Sequence, residues 1–306
     1  MIVLVHTSTP GPSRLRTVWR ALRPPFLLLT LVCVALGVAL VHGAGLRLVA
    51  ADVLRVLLGA LAAHGAVNLL NEYHDARSGL DQHTCRTPFS GGSGALQDDP
   101  AGLSAVRAAA WLLLGLTLLV GVWALHRGGV LLLPIGLVGV ALVLCYTPTL
   151  NRHPWLCLAA PGLGIGVLVV LGTVAVLAGG LDARTLLVAP IAGLLGSALL
   201  LANQFPDVEA DRRVGRRHLA ISHGRAAARR VYAALALLAA LALLAGALLE
   251  ILPGSACLAL PALAPMVWTW RGLGLPNADA ARLTPYLAAN VAAVLITPLV
   301  LAVTLW

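Results

Sequence analysis

The sequence predicts an all-α polytopic membrane protein of about nine transmembrane helices, and three observations carry that prediction. The 306 residues are 59% hydrophobic and only 11% charged, with a mean hydropathy of +0.92. A soluble domain with a solvated surface does not reach such values. The apolar residues fall in blocks of roughly 18 to 25, the length that crosses about 30 Å of hydrocarbon at about 1.5 Å per residue. The blocks show no period-two alternation, which sets aside a β-barrel and leaves helices, each satisfying its own backbone hydrogen bonds in lipid.

In chain order the predicted spans are 24–43, 50–71, 105–125, 129–147, 155–179, 185–205, 228–250, 254–270 and 284–306, all within one domain, 1–306. Residues 1–22 read as a cytoplasmic N-terminal segment. No small-residue cleavage site follows the first apolar block, so that block reads as a retained span. The net charge of +9 comes entirely from arginine. On a soluble chain it would suggest nucleic acid, but its distribution follows the spans instead. Arg14, Arg16, Arg20 and Arg23 precede the first span, Arg77 and Arg86 lie between the second and third, and Arg152 follows the fourth. Arg212, Arg213, Arg216, Arg217, Arg225, Arg229 and Arg230 lie between the sixth and seventh, and Arg271 and Arg282 between the last two. The other side holds little beyond Arg47, Arg127 and Arg184. By the positive-inside rule the N-terminus is cytoplasmic and the C-terminus lies outside. Cys33, Cys85, Cys145, Cys157 and Cys257 show no metal-ligand or CxxC spacing and read as small apolar packing residues.

Most acidic side chains sit in two loops on the arginine-rich side. Glu72, Asp75, Asp81, Asp98 and Asp99 lie in the first, 72–104, and Asp207, Glu209 and Asp211 in the second, 206–227. A carboxylate at a helix centre costs roughly 2.5–3.5 kcal/mol on insertion scales, so these groups belong at a helix end or against a hydrated cavity. His64, Asn68, Asn71 and Asp75 fall at i, i+4, i+7 and i+11, one polar stripe on a helix; Asn203, Asp207 and Asp211 fall at i, i+4 and i+8. Four spans separate the two motifs in register, which suggests two pseudo-repeated four-helix halves plus one helix.

Clusters of Asn and Asp oxygens without His/Cys spacing suit a hard divalent cation, and magnesium binds through one or two carboxylates plus substrate phosphates. Carboxylates converging in a partly desolvated cavity repel one another unless cations neutralise them. A cation-coupled membrane transporter is the alternative from another class. Transporter sites lie near the bilayer midplane, whereas both motifs here lie at cytoplasmic helix ends.

The two motifs resemble the signatures of the UbiA superfamily of intramembrane prenyltransferases. The first stands here as Asn71-Glu72-Tyr73-His74-Asp75 with Asp81, and the second as Asp207-Val208-Glu209-Ala210-Asp211 followed by Arg212, Arg213, Gly215 and Arg217. Arg23-Pro24, Tyr146-Thr147-Pro148 before Arg152, and the Gly162–Gly166 run also look like family features. The spacing of Asp81 after Gly79 and the run from Asp207 to Gly215 look most like the menaquinone-type branch, whose acceptor is 1,4-dihydroxy-2-naphthoate.

The resemblance implies Mg2+-assisted ionisation of an allylic prenyl diphosphate and capture by an aromatic acceptor; hydroxybenzoate, homogentisate, haem and chlorophyllide are the other acceptor types. The expected metal-binding residues are Asn68, Asn71, Asp75, Asp81, Asn203, Asp207 and Asp211, with Asn71, Asp75, Asp207 and Asp211 central to catalysis. Arg23, Arg152 and Arg217 are the expected diphosphate contacts, since a guanidinium fork matches phosphate oxygens. The loop Arg86–Gly94 is too polar to span and reads either as a cap that offers backbone N–H groups to phosphate or as a flexible connector between the second and third spans. His64 and His74 are candidate proton acceptors. Two positions depart from the signatures: Glu72 keeps the charge with a longer reach, and Pro206 is expected to kink the end of the sixth span.

Overall fold

Caps and prolines set the helix boundaries in the computed structural model, which describes residues 13–80, 84–276 and 278–306. Ser13 Oγ accepts the Arg16 N–H and opens α1 (Arg14–Leu22). Arg23 ends it in the left-handed region (φ 54°), and Pro24 starts a 3₁₀ turn, Pro24–Leu27, that feeds α2 (Leu28–Gly43). α3 (Ala50–Ser78) runs unbroken for 29 residues to Gly79, whose φ of 74° terminates it at no steric cost. A single turn, α4 (Ala95–Asp98), precedes α5 (Leu103–Gly128) and α6 (Leu132–Cys145). α7 (Pro154–Pro161) continues through a π-helical stretch, Gly162–Leu168, into α8 (Val169–Ala178). Asp182 caps α9 (Ala183–Asn203), which is followed by the short α10 (Val208–Arg213) and α11 (Leu219–Ser222). α12 (Gly224–Leu248), α13 (Ala264–Gly272) and α14 (Ala280–Leu305), capped by Asp279, complete the chain.

Among the described residues there is no strand, and seven segments are long and apolar enough to cross a bilayer: Pro24–Gly43, Ala50–Ser78, Pro100–Gly128, Pro154–Ala178, Ala183–Asn203, Gly224–Leu248 and Ala280–Leu305. These segments do not confirm the expected count of nine. α6 has 14 residues, a rise of about 21 Å, short of the hydrocarbon thickness. The expected span 254–270 is broken into two 3₁₀ turns, Gly254–Ala259 and Pro261–Leu263, ahead of the nine-residue α13. Pro253, Pro261 and Pro265 each lack the N–H that a continuous helix needs there.

The largest buried cluster joins α2, α8, α9, α12 and α14 through residues such as Leu36, Ile191, Leu195, Tyr232 and Leu287; a second joins α1, α3 and α5 through Leu69, Val106 and Leu114, and a third joins α2, α3, α6 and α8 through Val34, Val56, Leu132 and Val176. α3 lies along α5, α2 along α8 and α14 along α2. The glycines of the Gly162–Gly166 run are explained by a close backbone approach. A Cβ at Gly166 would sit 2.6 Å from the Gly193 Cα on α9, and one at Gly162 would collide with the Gly193 carbonyl. Such small-residue contacts let membrane helices pack backbone to backbone. Leu112, Val122, Leu137, Leu248 and Val303 are exposed on the outside, forming the surface a bilayer covers.

The second motif does not lie on one continuous helix. α9 ends at Asn203, residues Gln204–Asp207 turn, and Asp211 belongs to α10. Pro206 falls in that turn, so it separates two helices and does not kink the end of α9.

Candidate active site

Because α3 is unbroken, its polar stripe stays on one face. His64, Asn68, Asn71 and Asp75 all line a single cavity of about 590 Å³. Val56 lines the same cavity, so the cavity follows α3 for nineteen residues, about 28 Å of helix rise. Its walls away from Asp75 are apolar, with Val120 and Leu125 from α5, Ile135 from α6 and Val176 from α8. At its polar end Asn203, Gln204, Asp207, Asp211, Arg216, His218 and Arg23 complete the lining. Both acidic motifs therefore open on the same mouth.

Within that mouth the carboxylates are partnered by cations and backbone N–H groups. Asn71 Nδ2 donates to Asp75 Oδ2 at 3.1 Å, and Asn71 Oδ1 accepts from Thr147 Oγ1 at 3.1 Å. The Arg216 guanidinium joins the two motifs: one nitrogen contacts Asp75 Oδ1 and the other lies 2.9 Å from Asp211 Oδ1. His218 Nε2 lies 3.2 Å from Asp211 Oδ2, a close contact that becomes an ion pair only when the imidazole is protonated. The glycine-rich loop closes over the same end, its Gly91 N–H donating to Asp207 Oδ2 at 3.1 Å. Glu72 is turned toward that loop and accepts both the N–H (2.9 Å) and the hydroxyl of Ser93. Gly91, Gly92 and Gly94 all have positive φ (80°, 75° and 71°), a path that side-chain-bearing residues rarely take.

The charges perturb one another. Burial, with the Asp211 charge nearby, pushes the Asp207 carboxyl up to about 7. Burial acts on Asp211 in the same sense, but Arg216 and His218 outweigh it and hold that carboxyl below its ordinary value. Burial opposes the charge on Arg216, and the Asp75 and Asp211 carboxylates overcome it and hold the guanidinium above its ordinary value. Two acidic groups one helical turn apart are thereby set to opposite protonation tendencies.

The profile of the UbiA prenyltransferase family matches residues 27–294. The chain belongs to this family. A 1,4-dihydroxy-2-naphthoate octaprenyltransferase of Bacillus subtilis (strain 168) is 30% identical over 225 residues, covering 72% of this chain and 70% of the relative. The fold is shared with a UbiA homolog from Archaeoglobus fulgidus bound to GPP and Mg2+ (TM-score 0.66, 14% identity, 93% of this chain and 99% of that one). It is shared also with a digeranylgeranylglyceryl phosphate synthase (TM-score 0.64, 15% identity, 95% and 99%). Membership and the seven apolar segments make the chain an integral membrane protein.

Within this UbiA chain the predicted site residues separate into three groups. Asn68, Asn71, Asp75, Asn203, Asp207, Asp211 and Arg23 converge on the cavity mouth. Asn68 also donates to the Leu22 carbonyl at 3.0 Å, tying α3 to the end of α1, and Arg23 lies over the Phe26 ring, 4.2 Å from its centroid. Arg152 and Arg217 are exposed and do not line the cavity, whereas Arg216 does. Asp81 lies outside the described residues. The sequence reading passed over Arg216 and His218 because seven arginines share one loop and spacing does not say which one turns inward. Cys157, read as packing, lines the cavity and accepts a hydrogen bond from Gln204 Nε2 at 3.2 Å. His64 Nδ1 lies 2.7 Å from Thr30 Oγ1, a buried polar pair.

The donor set fits a hard cation. Asn203 Oδ1 is buried without a hydrogen-bond partner and borders the cavity, and the other donors are amide and carboxylate oxygens. Among the described residues no three His, Cys, Asp or Glu side chains group closely enough to hold an ion by themselves.

Proposed function

We propose that this protein transfers a prenyl group from an allylic prenyl diphosphate to an aromatic acceptor, 1,4-dihydroxy-2-naphthoate or a related quinone precursor, with Mg2+ held between the two acidic motifs. The observation that carries the reading is that both motifs meet at the polar mouth of one long apolar cavity. Asn71, Asp75, Asn203, Asp207 and Asp211 hold the cation, with Asn68 and Asp81 in support. When bound, magnesium neutralises charge on the departing diphosphate. Arg23 and Arg216 contact the diphosphate oxygens, adding fixed positive charge where negative charge develops. The apolar walls hold the hydrocarbon chain and keep water from the allylic cation. Glu72 and Asp207 hold the glycine-rich loop across the mouth.

The name of the Bacillus subtilis relative supports a naphthoate acceptor, and the GPP and Mg2+ bound to the Archaeoglobus fulgidus homolog support the prenyl diphosphate and the cation. The arginine-rich loops support a mouth on the cytoplasmic side, and the Bacillus subtilis relative supports a bacterial plasma membrane. Detergent-purified protein given a radiolabelled prenyl diphosphate and a panel of hydroxynaphthoate, hydroxybenzoate, homogentisate, haem and chlorophyllide acceptors tests the reading. Magnesium-dependent transfer to the naphthoate is expected, with loss in folded Asp75→Ala and Asp207→Ala variants. Transfer to none of the panel, or full activity in either variant, would overturn it.

A further inference from the structure

Among the described residues Arg216 is the one guanidinium that touches both acidic motifs, contacting Asp75 on α3 and Asp211 on α10. The three side chains are largely enclosed, with 19%, 10% and 4% exposure for Arg216, Asp75 and Asp211. The guanidinium therefore carries the positive charge that these two carboxylates require, in the place where a divalent cation would draw on the same oxygens. A guanidinium presents its donors in a single planar fork. Two of its nitrogens face these carboxylates, which leaves fewer of its five N–H donors for a diphosphate.

The backbone carries this side chain on a short stretch between two helices. Arg216 follows Gly215, which has a φ of 80° and open space where a Cβ would stand. α10 ends at Arg213, and the Arg216 N–H already bonds the Asp211 carbonyl at 3.1 Å. The side chain is thus anchored beside the carboxylates on a short non-helical stretch and lines the cavity itself.

We propose that Arg216 is a cation placeholder that couples metal binding to diphosphate binding. It competes with Mg2+ for Asp75 and Asp211 when Mg2+ arrives alone, and it transfers its fork to the diphosphate when Mg2+ and diphosphate arrive together. The site thereby favours the magnesium–diphosphate complex over free magnesium. The inference rests on the metal–diphosphate reading of the site and adds a sign to it. A ligand that must displace an internal partner binds more weakly by the fraction of time its groups are free, and removing that partner tightens it.

Calorimetric titration of detergent-purified protein tests this without turnover, first with MgCl2 alone and then with inorganic diphosphate at saturating Mg2+. Relative to wild type, Arg216→Gln should bind Mg2+ alone about tenfold tighter and diphosphate about tenfold more weakly, a coupling within the usual allosteric range. Arg216→Lys keeps the counter-charge but lacks the fork. It should shift both affinities in the same directions by less, and it carries the test if the Gln variant does not fold. Unchanged Mg2+ affinity in folded variants would make Arg216 a diphosphate ligand only, and weakening of both ligands would make it a structural brace; either result overturns the proposal. Should wild type bind neither Mg2+ nor diphosphate with Mg2+ present, the underlying reading falls as well, an outcome distinct from wild-type binding without the inversion of sign.

Discussion

Asp207 is the residue whose chemistry most depends on its surroundings. Its carboxyl value is raised to about 7, so the metal-free fold binds a proton that the unfolded chain releases at lower pH. The sign follows from linkage. This contribution to stability is fully present below the ordinary carboxylate value and is lost as pH rises through about 7. A divalent cation takes the ionised form, so its binding displaces that proton and weakens as pH falls through about 7. Mg2+ titrations on either side of that pH should show weaker binding on the acid side with proton release. Asp207→Asn should abolish the dependence, and a pH-independent affinity in wild type would contradict the assignment. Glu72 plays a different part from the one its position in the motif suggests. It holds Ser93 through two hydrogen bonds, so Glu72→Gln should loosen the loop at a cost of about 1–3 kcal/mol. Faster amide exchange at residues 90–94, with α3 unchanged, is the expected result. Residue identities were legible in the sequence, because Asn and Asp at helical spacing declare oxygen ligands. Which of seven clustered arginines turns inward was not legible, since that depends on the left-handed Gly215 and the short α10.

At the scale of elements, regular helices were readable and interruptions were not. The stripe from His64 to Asp75 held its phase because α3 continues to Ser78. The second stripe assumed the same continuity, and the chain instead turns at Gln204–Asp207, bringing Asp207 under the glycine-rich loop while Asp211 faces Arg216. Periodicity reports phase only while the helix lasts. The Gly162–Gly166 run was visible as a motif, but its purpose lies in a contact with Gly193, 27 residues beyond Gly166. Gly193→Val would push the π-helical stretch off α9, a strained core with a cost of about 1–3 kcal/mol. A lower unfolding temperature in detergent should report it, whereas Gly180→Val, at a glycine with open space around it, should leave the temperature within error of wild type.

Across the whole molecule, composition fixes the environment and packing fixes the reaction space. Hydropathy counted nine apolar blocks, and among the described residues seven segments are long and apolar enough to cross alone. The cavity they help enclose could not be read from any one block, since its wall is assembled from α3, α5, α6 and α8. Its length of about 28 Å along α3 suits an extended prenyl chain lying beneath the acidic mouth. Gly172 lines it, and a Cβ there would meet only Ile135 at 3.7 Å. Gly172→Phe should therefore fill the apolar part, lowering turnover of long-chain polyprenyl diphosphates far more than of geranyl diphosphate. Equal losses for both donors would place the chain elsewhere. The central claim is that two motifs separated along the sequence make one site. A double-mutant cycle on Asp75→Ala and Asp207→Ala, reading Mg2+-dependent binding of a non-ionisable prenyl diphosphate analogue, tests it most directly. Each single variant should lose most of the affinity, and the double variant should lose little more, the non-additivity of groups that act on one ligand. Independent, multiplying losses, or wild-type affinity in either single variant, would contradict it.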